Sequence, residues 1–225
     1  MKIIGLFLAK ESKRLPNKNI MEIAGKPMYR WVMDEAAKSK IDELWVSTGV
    51  EQYKEIFRRA GLKVMDRPAK LMGDRIVSME VIKDFASQHH FNYLVHLDFT
   101  MPLTKAETID KFIDKALEGY DSVIGTKKLR YTLLWDKPLC SNDPDRINKY
   151  YYYGCCNVRT KRCCMEYDGT DWGEGKKNFY MQIEDEYNID INTYEDYYIV
   201  EQLLKYRKAV NTFTEKYDDR VLTVY

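Results

Sequence analysis

Apolar positions along the chain fall into short continuous runs that alternate with helical spacings. Residues 2–9 form one such run, as expected of a strand covered on both faces. Residues 27–39 place Met28, Trp31, Val32 and Ala36 at helical spacing. The alternation continues with a strand at 43–48, a helix at 51–60 ending at Gly61, and a strand at 62–65. Arg67-Pro68 opens a loop, and 75–89 reads as a helix. A buried strand at 93–97, a helix at 105–118 ending at Gly119 and a strand at 122–125 complete this part. Such a succession predicts a mostly parallel sheet with helices on both faces. Ligands of these sheets sit at the carboxyl ends of the strands, so the loops after Ala9, Thr48, Met65 and Leu97 are the ones to watch.

The pattern changes near residue 126. Residues 126–182 hold aromatic strands, adjacent cysteines and glycine-containing turns without a long helix, which predicts an antiparallel excursion from the sheet. A strand at 187–191 then returns and a helix at 194–209 closes the fold. With no internal repeat or low-complexity linker, 1–225 is expected to be a single domain.

Composition narrows the picture. The 225 residues are ample for a core, and 45% apolar with 32% charged residues excludes a disordered chain. The apolar segment 3–9 is too short for a membrane helix and lacks a secretory pattern, so a cytoplasmic protein is expected. A net charge of +1 gives no reason to expect nucleic acid or an anionic membrane as partner. The charge is uneven, however. Residues 1–40 carry nine basic and four acidic side chains, whereas 163–201 carry two basic and eleven acidic. Such segments suit a metal-bound polyphosphate if they converge, and are ordinary surface charge if they do not. The five cysteines are Cys140, Cys155, Cys156, Cys163 and Cys164. Adjacent pairs do not have the spacing of zinc ligands, so buried free thiols on a strand pair, in a reducing compartment, are expected.

The first loop offers Lys10, Ser12, Lys13, Arg14 and Lys18 within a few residues, dispersed donors of the kind a triphosphate needs. It lacks the glycine and lysine spacing of a P-loop. Ser12-Lys13-Arg14-Leu15-Pro16-Asn17-Lys18-Asn19, followed by Ile23-Ala24-Gly25-Lys26-Pro27-Met28, resembles the N-terminal signature of the sugar-acid cytidylyltransferases, the family of CMP-sialic acid synthetases and their relatives. Ile41-Asp42-Glu43, Val46-Ser47-Thr48, Arg67-Pro68 through Gly73-Asp74, Leu97 to Leu103, Asp121-Ser122-Val123 and Ile189-Asp190-Ile191-Asn192-Thr193-Tyr194-Glu195-Asp196 resemble further family segments in the family's order.

The resemblance implies a Rossmann-like α/β fold of the nucleotide-diphospho-sugar transferase type. It also implies a magnesium-dependent transfer of CMP from CTP to an acidic sugar, with release of pyrophosphate, for surface-glycan synthesis. Lys10 and Lys18 would act on the phosphates and Asp190 would hold Mg2+, as the catalytic set. Ser12, Lys13, Asn19, Arg67, Asp74 and Asp98 would contact the nucleotide. Asp190, Asn192 and Asp98 would form the metal site. Asp74 serves equally well as a cap for a helix starting at Arg75. Thr193 is expected to cap the closing helix, with Glu195 and Asp196 in its first turn. A homodimer formed through 126–182 is also implied.

The chain departs from the family pattern at several places. Glu11 stands where glycine is usual, Gly49 where aspartate is common, Asp98 in place of glutamine, Thr104 in place of arginine, and Asn192 in place of a second acid. Tyr153-Gly154-Cys155 replaces Asn-Gly-Ala, which points to a different sugar pocket. Two alternatives follow. One is a nucleotidyltransferase for a phosphorylated small acceptor, favoured by the basic stretch 125–162. The other is a catalytically weak nucleotide-binding or scaffold protein, favoured by Glu11, Gly49 and Asn192.

Overall fold

The structure is a computed structural model, and it describes residues 1–126, 155–169, 173–183 and 189–216. In chain order the elements are β1 (Ile3–Leu8), β2 (Glu22–Ile23), β3 (Lys26–Pro27), α1 (Met28–Ala36), β4 (Glu43–Thr48), α2 (Glu51–Arg59), β5 (Lys63–Asp66), a 3-10 turn (Ala69–Leu71) and α3 (Ser78–Gln88). They continue with β6 (Tyr93–Leu97), α4 (Ala106–Leu117), β7 (Ser122–Thr126), β8 (Cys156–Thr160), α5 (Lys161–Glu166), β9 (Asn178–Gln182) and α6 (Tyr194–Lys216).

Among the described residues seven strands form the main sheet in the order β5-β4-β1-β6-β8-β7-β9, and β2 and β3 make a separate hairpin. The strand pairs β1–β4, β1–β6, β4–β5 and β7–β9 are parallel, and β8 runs antiparallel between β6 and β7. The expected mostly parallel sheet is therefore present.

The alternation of strand side chains divides the core into two layers. On one face Phe7, Val46, Val95 and Leu97 pack against Val32 and Ala36 of α1, Phe57 of α2 and Phe112 of α4. On the other face Ile4, Leu6 and Leu94 pack against Met79, Ile82 and Phe85 of α3 and Cys164 of α5. A third cluster sits at the carboxyl edge: Leu15, Ile23, Met28, Leu103, Ile191, Val200 and Leu204. It clamps α6 onto the first loop, the hairpin and the loop after β6. This clamp sets the geometry of the candidate site.

Three expectations change. The stretch 126–182 is not wholly an excursion, because its described part returns β8 to the centre of the sheet and β9 to its edge. The alternation of Phe179 and Met181 inward with the exposed Tyr180 outward is what an edge strand needs. The described residues of the expected strand at 187–191 belong to no strand, and β9 takes the edge place beside β7. The cysteines do not lie on a strand pair. Cys156 opens β8 with Cys155 just before it, but Cys163 and Cys164 sit on α5, where Thr160 Oγ1 caps the helix by accepting from Cys163 N. All four are buried free thiols, and burial pushes Cys155 and Cys164 up to about 12. Cys140, Tyr153-Gly154 and most of the basic stretch 125–162 lie outside the described residues, as does most of the segment expected to form a dimer contact.

Gly49 follows β4 in a crowded place, where a side chain would require the end of Met72 to move. A Cβ at this position would stand 2.7 Å from Met72 Sδ and 3.2 Å from the Arg67 carbonyl oxygen. Gly49 thus stands where the loop after β4 meets the loop after β5. Gly49→Ala is expected to lower the unfolding free energy in urea by about 1–2 kcal/mol. An unchanged midpoint would mean that Met72 and the backbone yield without cost.

Candidate active site

The first loop leaves β1 at Ala9, whose N–H donates to the Ser47 carbonyl, so the loop starts beside β4. Ser12 Oγ accepts from Leu15 N at 3.2 Å, and Leu15 is buried in the edge cluster. Asn17 has a φ of 57°, and its carbonyl accepts from both Ile20 N and Met21 N. This left-handed turn, a conformation asparagine tolerates, aims the following Lys18 across the edge toward α6. Asn19 is buried, and its Nδ2 donates to the Lys10 carbonyl at 2.9 Å, closing the loop on itself.

Lys18 Nζ donates to the Ile191 carbonyl and to Asn192 Oδ1, both at 3.2 Å. Asn192 Nδ2 in turn donates to Asp190 Oδ2 at 2.7 Å. Asp190 also accepts a side-chain hydrogen bond from Thr100 and feels the negative charge of Asp98. The loop after β6 is held against this segment by the bond from Ile191 N to the Thr100 carbonyl at 2.9 Å. Phe99, stacked on Phe7 with ring centroids 4.1 Å apart, roots that loop in the core between Asp98 and Thr100. Asp196 Oδ2 accepts from Asn192 N and Thr193 N, while Thr193 Oγ1 accepts from Asp196 N, as in a reciprocal helix cap. Residues from three loops more than 70 positions apart are thereby brought together: Lys18, Asp98 with Thr100, and Asp190 with Asn192.

The electrostatics follow from that crowding. Asp190 keeps an exposed surface, yet the atoms packed around it and the Asp98 charge push its carboxyl above the ordinary carboxylate range. Lys18 is pushed down by desolvation, against the attraction of Asp190, Asp98 and Asp196. Two carboxylates and a hydroxyl form a set of hard oxygens that suits magnesium. Among the described residues no group of three or more His, Cys, Asp or Glu is arranged to hold a metal ion. A magnesium ion at this pair of carboxylates would need further oxygen ligands, such as those of a phosphate. Asn192 is turned away from that task, since its oxygen faces Lys18 and its nitrogen faces Asp190.

The remaining candidates sit further along the same edge. Arg67 is buried after β5, donating from Nη2 to the Ser47 carbonyl at 2.6 Å and from Nε to Ser47 Oγ at 3.3 Å. Desolvation pushes its guanidinium down to about 10. Among the described residues it forms no ion pair, so a bound anion would relieve its burial. Lys13 and Asp74 form an exposed ion pair at 2.7 Å that joins the first loop to the loop after β5. Asp74 is not a helix cap, because α3 begins only at Ser78. Lys10 is exposed and acts electrostatically on Asp74. Thr100 and the Ile191 carbonyl were not singled out in the sequence, because their roles arise from backbone placement between loops some 90 residues apart.

The described residues include no helix long and apolar enough to cross a membrane. A family model described as cytidylyltransferase matches residues 10–151. N-acylneuraminate cytidylyltransferase A of Danio rerio is 27% identical over 216 residues, covering 89% of this chain and 50% of that protein. N-acylneuraminate cytidylyltransferase of Streptococcus agalactiae is 37% identical over 115 residues, covering 49% of this chain and 27% of that protein. 3-Deoxy-manno-octulosonate cytidylyltransferase of Francisella tularensis subsp. novicida is 32% identical over 118 residues, covering 52% of this chain and 46% of that protein. The chain thus spans half or less of the length of these curated relatives. Among solved structures, CMP:2-keto-3-deoxy-manno-octonic acid synthetase complexed with CTP matches with a TM-score of 0.70 at 13% identity, over 92% of this chain and 100% of that one. The 4-diphosphocytidyl-2C-methyl-D-erythritol synthase of Anaerococcus prevotii matches with a TM-score of 0.70 at 16% identity, over 91% of this chain and 96% of that one. These two likenesses establish the fold.

Proposed function

The chain belongs to the cytidylyltransferase family, and from that membership we propose that it transfers CMP from CTP to an oxygen of an acidic sugar of the nonulosonic type, for surface-glycan synthesis. The acceptor oxygen attacks the α-phosphorus, the bond to the β-phosphate breaks, and pyrophosphate leaves. The observation that carries this reading is the convergence of Lys18 with Asp98 and Asp190 at the carboxyl edge, beside the basic first loop. The names of the relatives, which act on N-acylneuraminate and 3-deoxy-manno-octulosonate, support an acidic sugar as acceptor.

Each residue then has a task. Lys10, Lys13 and Lys18 bind the triphosphate, and Ser12 offers its hydroxyl proton. Arg67 offers a buried cation to the nucleotide. Asp74 holds Lys13 in place until phosphate takes over the lysine. Asp98 and Asp190 would hold magnesium, and its charge would offset that of the α-phosphate and the leaving pyrophosphate. Asn19 acts through the loop, by fixing the Lys10 carbonyl. A dimer built through 126–182 and a place in the cytoplasm complete the proposal, the latter supported by the buried free thiols.

The test is pyrophosphate release with each of the four nucleoside triphosphates, against sugar acids and phosphorylated small acceptors, with and without magnesium. CTP with a sugar acid and magnesium should give turnover, and the other nucleotides far less. Turnover only with phosphorylated acceptors would move the substrate class. CTP binding without turnover on any acceptor would favour the scaffold alternative.

A further inference from the structure

Asn192 stands where the family pattern has an acid, and its contacts give it a task that an acid could not perform. Its Nδ2 donates to Asp190 Oδ2 at 2.7 Å, and its Oδ1 accepts from Lys18 Nζ at 3.2 Å. Lysine only donates and an ionised carboxylate only accepts, so chemistry fixes which way the amide faces. An aspartate here would have no hydrogen for Asp190 and would set two carboxylates against each other.

Lys18 is the group that feels the difference. Its second partner is the Ile191 carbonyl, so both oxygens that hold the ammonium are neutral. Asp190, Asp98 and Asp196 attract it from around the site, yet among the described residues none forms an ion pair with it. A carboxylate at position 192 would add Coulomb attraction at a half-buried place where water screens weakly. The lysine would then be tied to α6 rather than left available.

We propose that Asn192 is a positioning residue that parks Lys18 on a neutral oxygen, leaving the ammonium free to move onto the polyphosphate of an incoming nucleoside triphosphate. The same amide orients Asp190 through its other end. The departure from the family pattern thus keeps the phosphate-binding lysine mobile and gives up one negative charge near the metal. This proposal rests on the nucleotidyltransferase reading above.

Isothermal titration of CTP into the full chain in the presence of a chelator tests it, because binding is then read without metal and without turnover. Asn192→Asp should weaken CTP about tenfold, whereas Asn192→Ala, which removes the bond but adds no charge, should stay within about threefold of wild type. In a Lys18→Ala background the effect of Asn192→Asp should largely disappear, since the aspartate acts through the lysine. Equal losses in the two Asn192 variants, or a loss that persists in the Lys18→Ala background, would overturn the proposal. So would wild-type affinity in Asn192→Asp. Wild-type protein that binds no CTP, with or without magnesium, would instead bring down the nucleotidyltransferase reading and this inference with it.

Discussion

Asp190→Asn is expected to lower turnover roughly 10²–10³-fold, the scale on which single electrostatic groups act in such reactions, while the thermal midpoint hardly moves. The substitution is close to isosteric, and an amide oxygen can still accept from Asn192 Nδ2. What it removes is the negative charge. That charge is held beside Asp98, an arrangement whose repulsion a divalent cation relieves. The variant should therefore need far more magnesium for any residual rate. Steady-state pyrophosphate release across a magnesium titration, with a melting curve for each protein, separates this from a structural role. A destabilised Asp190→Asn that keeps the wild-type magnesium dependence would remove Asp190 from the metal site.

The parts of the fold visible in the sequence are those whose signal is local. The strands at 43–48 and 93–97 appear with the expected boundaries, because each is a short run rich in β-branched, aromatic and aliphatic residues set between helical segments. The helices shift by a few residues at their ends, as α3 does in starting at Ser78 rather than Arg75. The misplaced pieces depend on partners. Leu94 pairs with Arg159 and Val123 with Val158, across breaks in the helical alternation that follow no local periodicity. Arg159 also disguised its strand, since a fully buried arginine within it breaks the apolar pattern. Its Nε is held by the Gly173 carbonyl at 2.9 Å, a contact supplied by a loop that sequence cannot place.

The same division runs through the candidate site. The resemblance of the motifs pointed to Lys18, Asp98, Asp190 and Asn192, and the edge cluster around Leu15, Leu103 and Ile191 brings them together. The internal bonds were not legible. Nothing in residue type told that the Asn19 amide would go to the Lys10 carbonyl, that Asp74 would pair with Lys13, or that Asn192 would bridge Lys18 and Asp190. The first depends on how one loop folds on itself and the other two on how two loops meet, and both are set by burial of residues that carry no chemistry.

The largest expected effect on stability lies at the opposite end of the sheet. Asp121 precedes β7 and is buried. Its Oδ2 accepts from Lys176 N at 3.0 Å and Lys177 N at 3.1 Å, and its Oδ1 pairs with Arg162 of α5. Its own N–H donates to the Lys177 carbonyl at 2.7 Å, and its carbonyl accepts from Thr160 N at 2.9 Å. One residue thus ties the approach to β9, the start of β7 and the junction of β8 with α5. The fit is close enough that a Cβ on Gly175 would stand 2.2 Å from Asp121 Cβ. Asp121→Ala should lower the unfolding free energy at pH 7 by about 3 kcal/mol, because it leaves two backbone donors without their charged acceptor. Desolvation alone would raise this carboxyl, but the Arg162 guanidinium and the backbone N–H groups of Lys176 and Lys177 outweigh it and hold the carboxyl below its ordinary value. On acidification the unfolded chain therefore takes up this proton first, near pH ~4, and the folded protein only at lower pH. The stability supplied by Asp121 is accordingly complete above that range and is lost as pH falls through the folded value. Urea unfolding followed by tryptophan fluorescence should show a full gap between wild type and Asp121→Ala at pH 7, narrowing steadily below pH ~4. A gap that stays constant down to the acid limit of folding, or no gap at pH 7, would show that the carboxylate charge does not hold the edge of the sheet together.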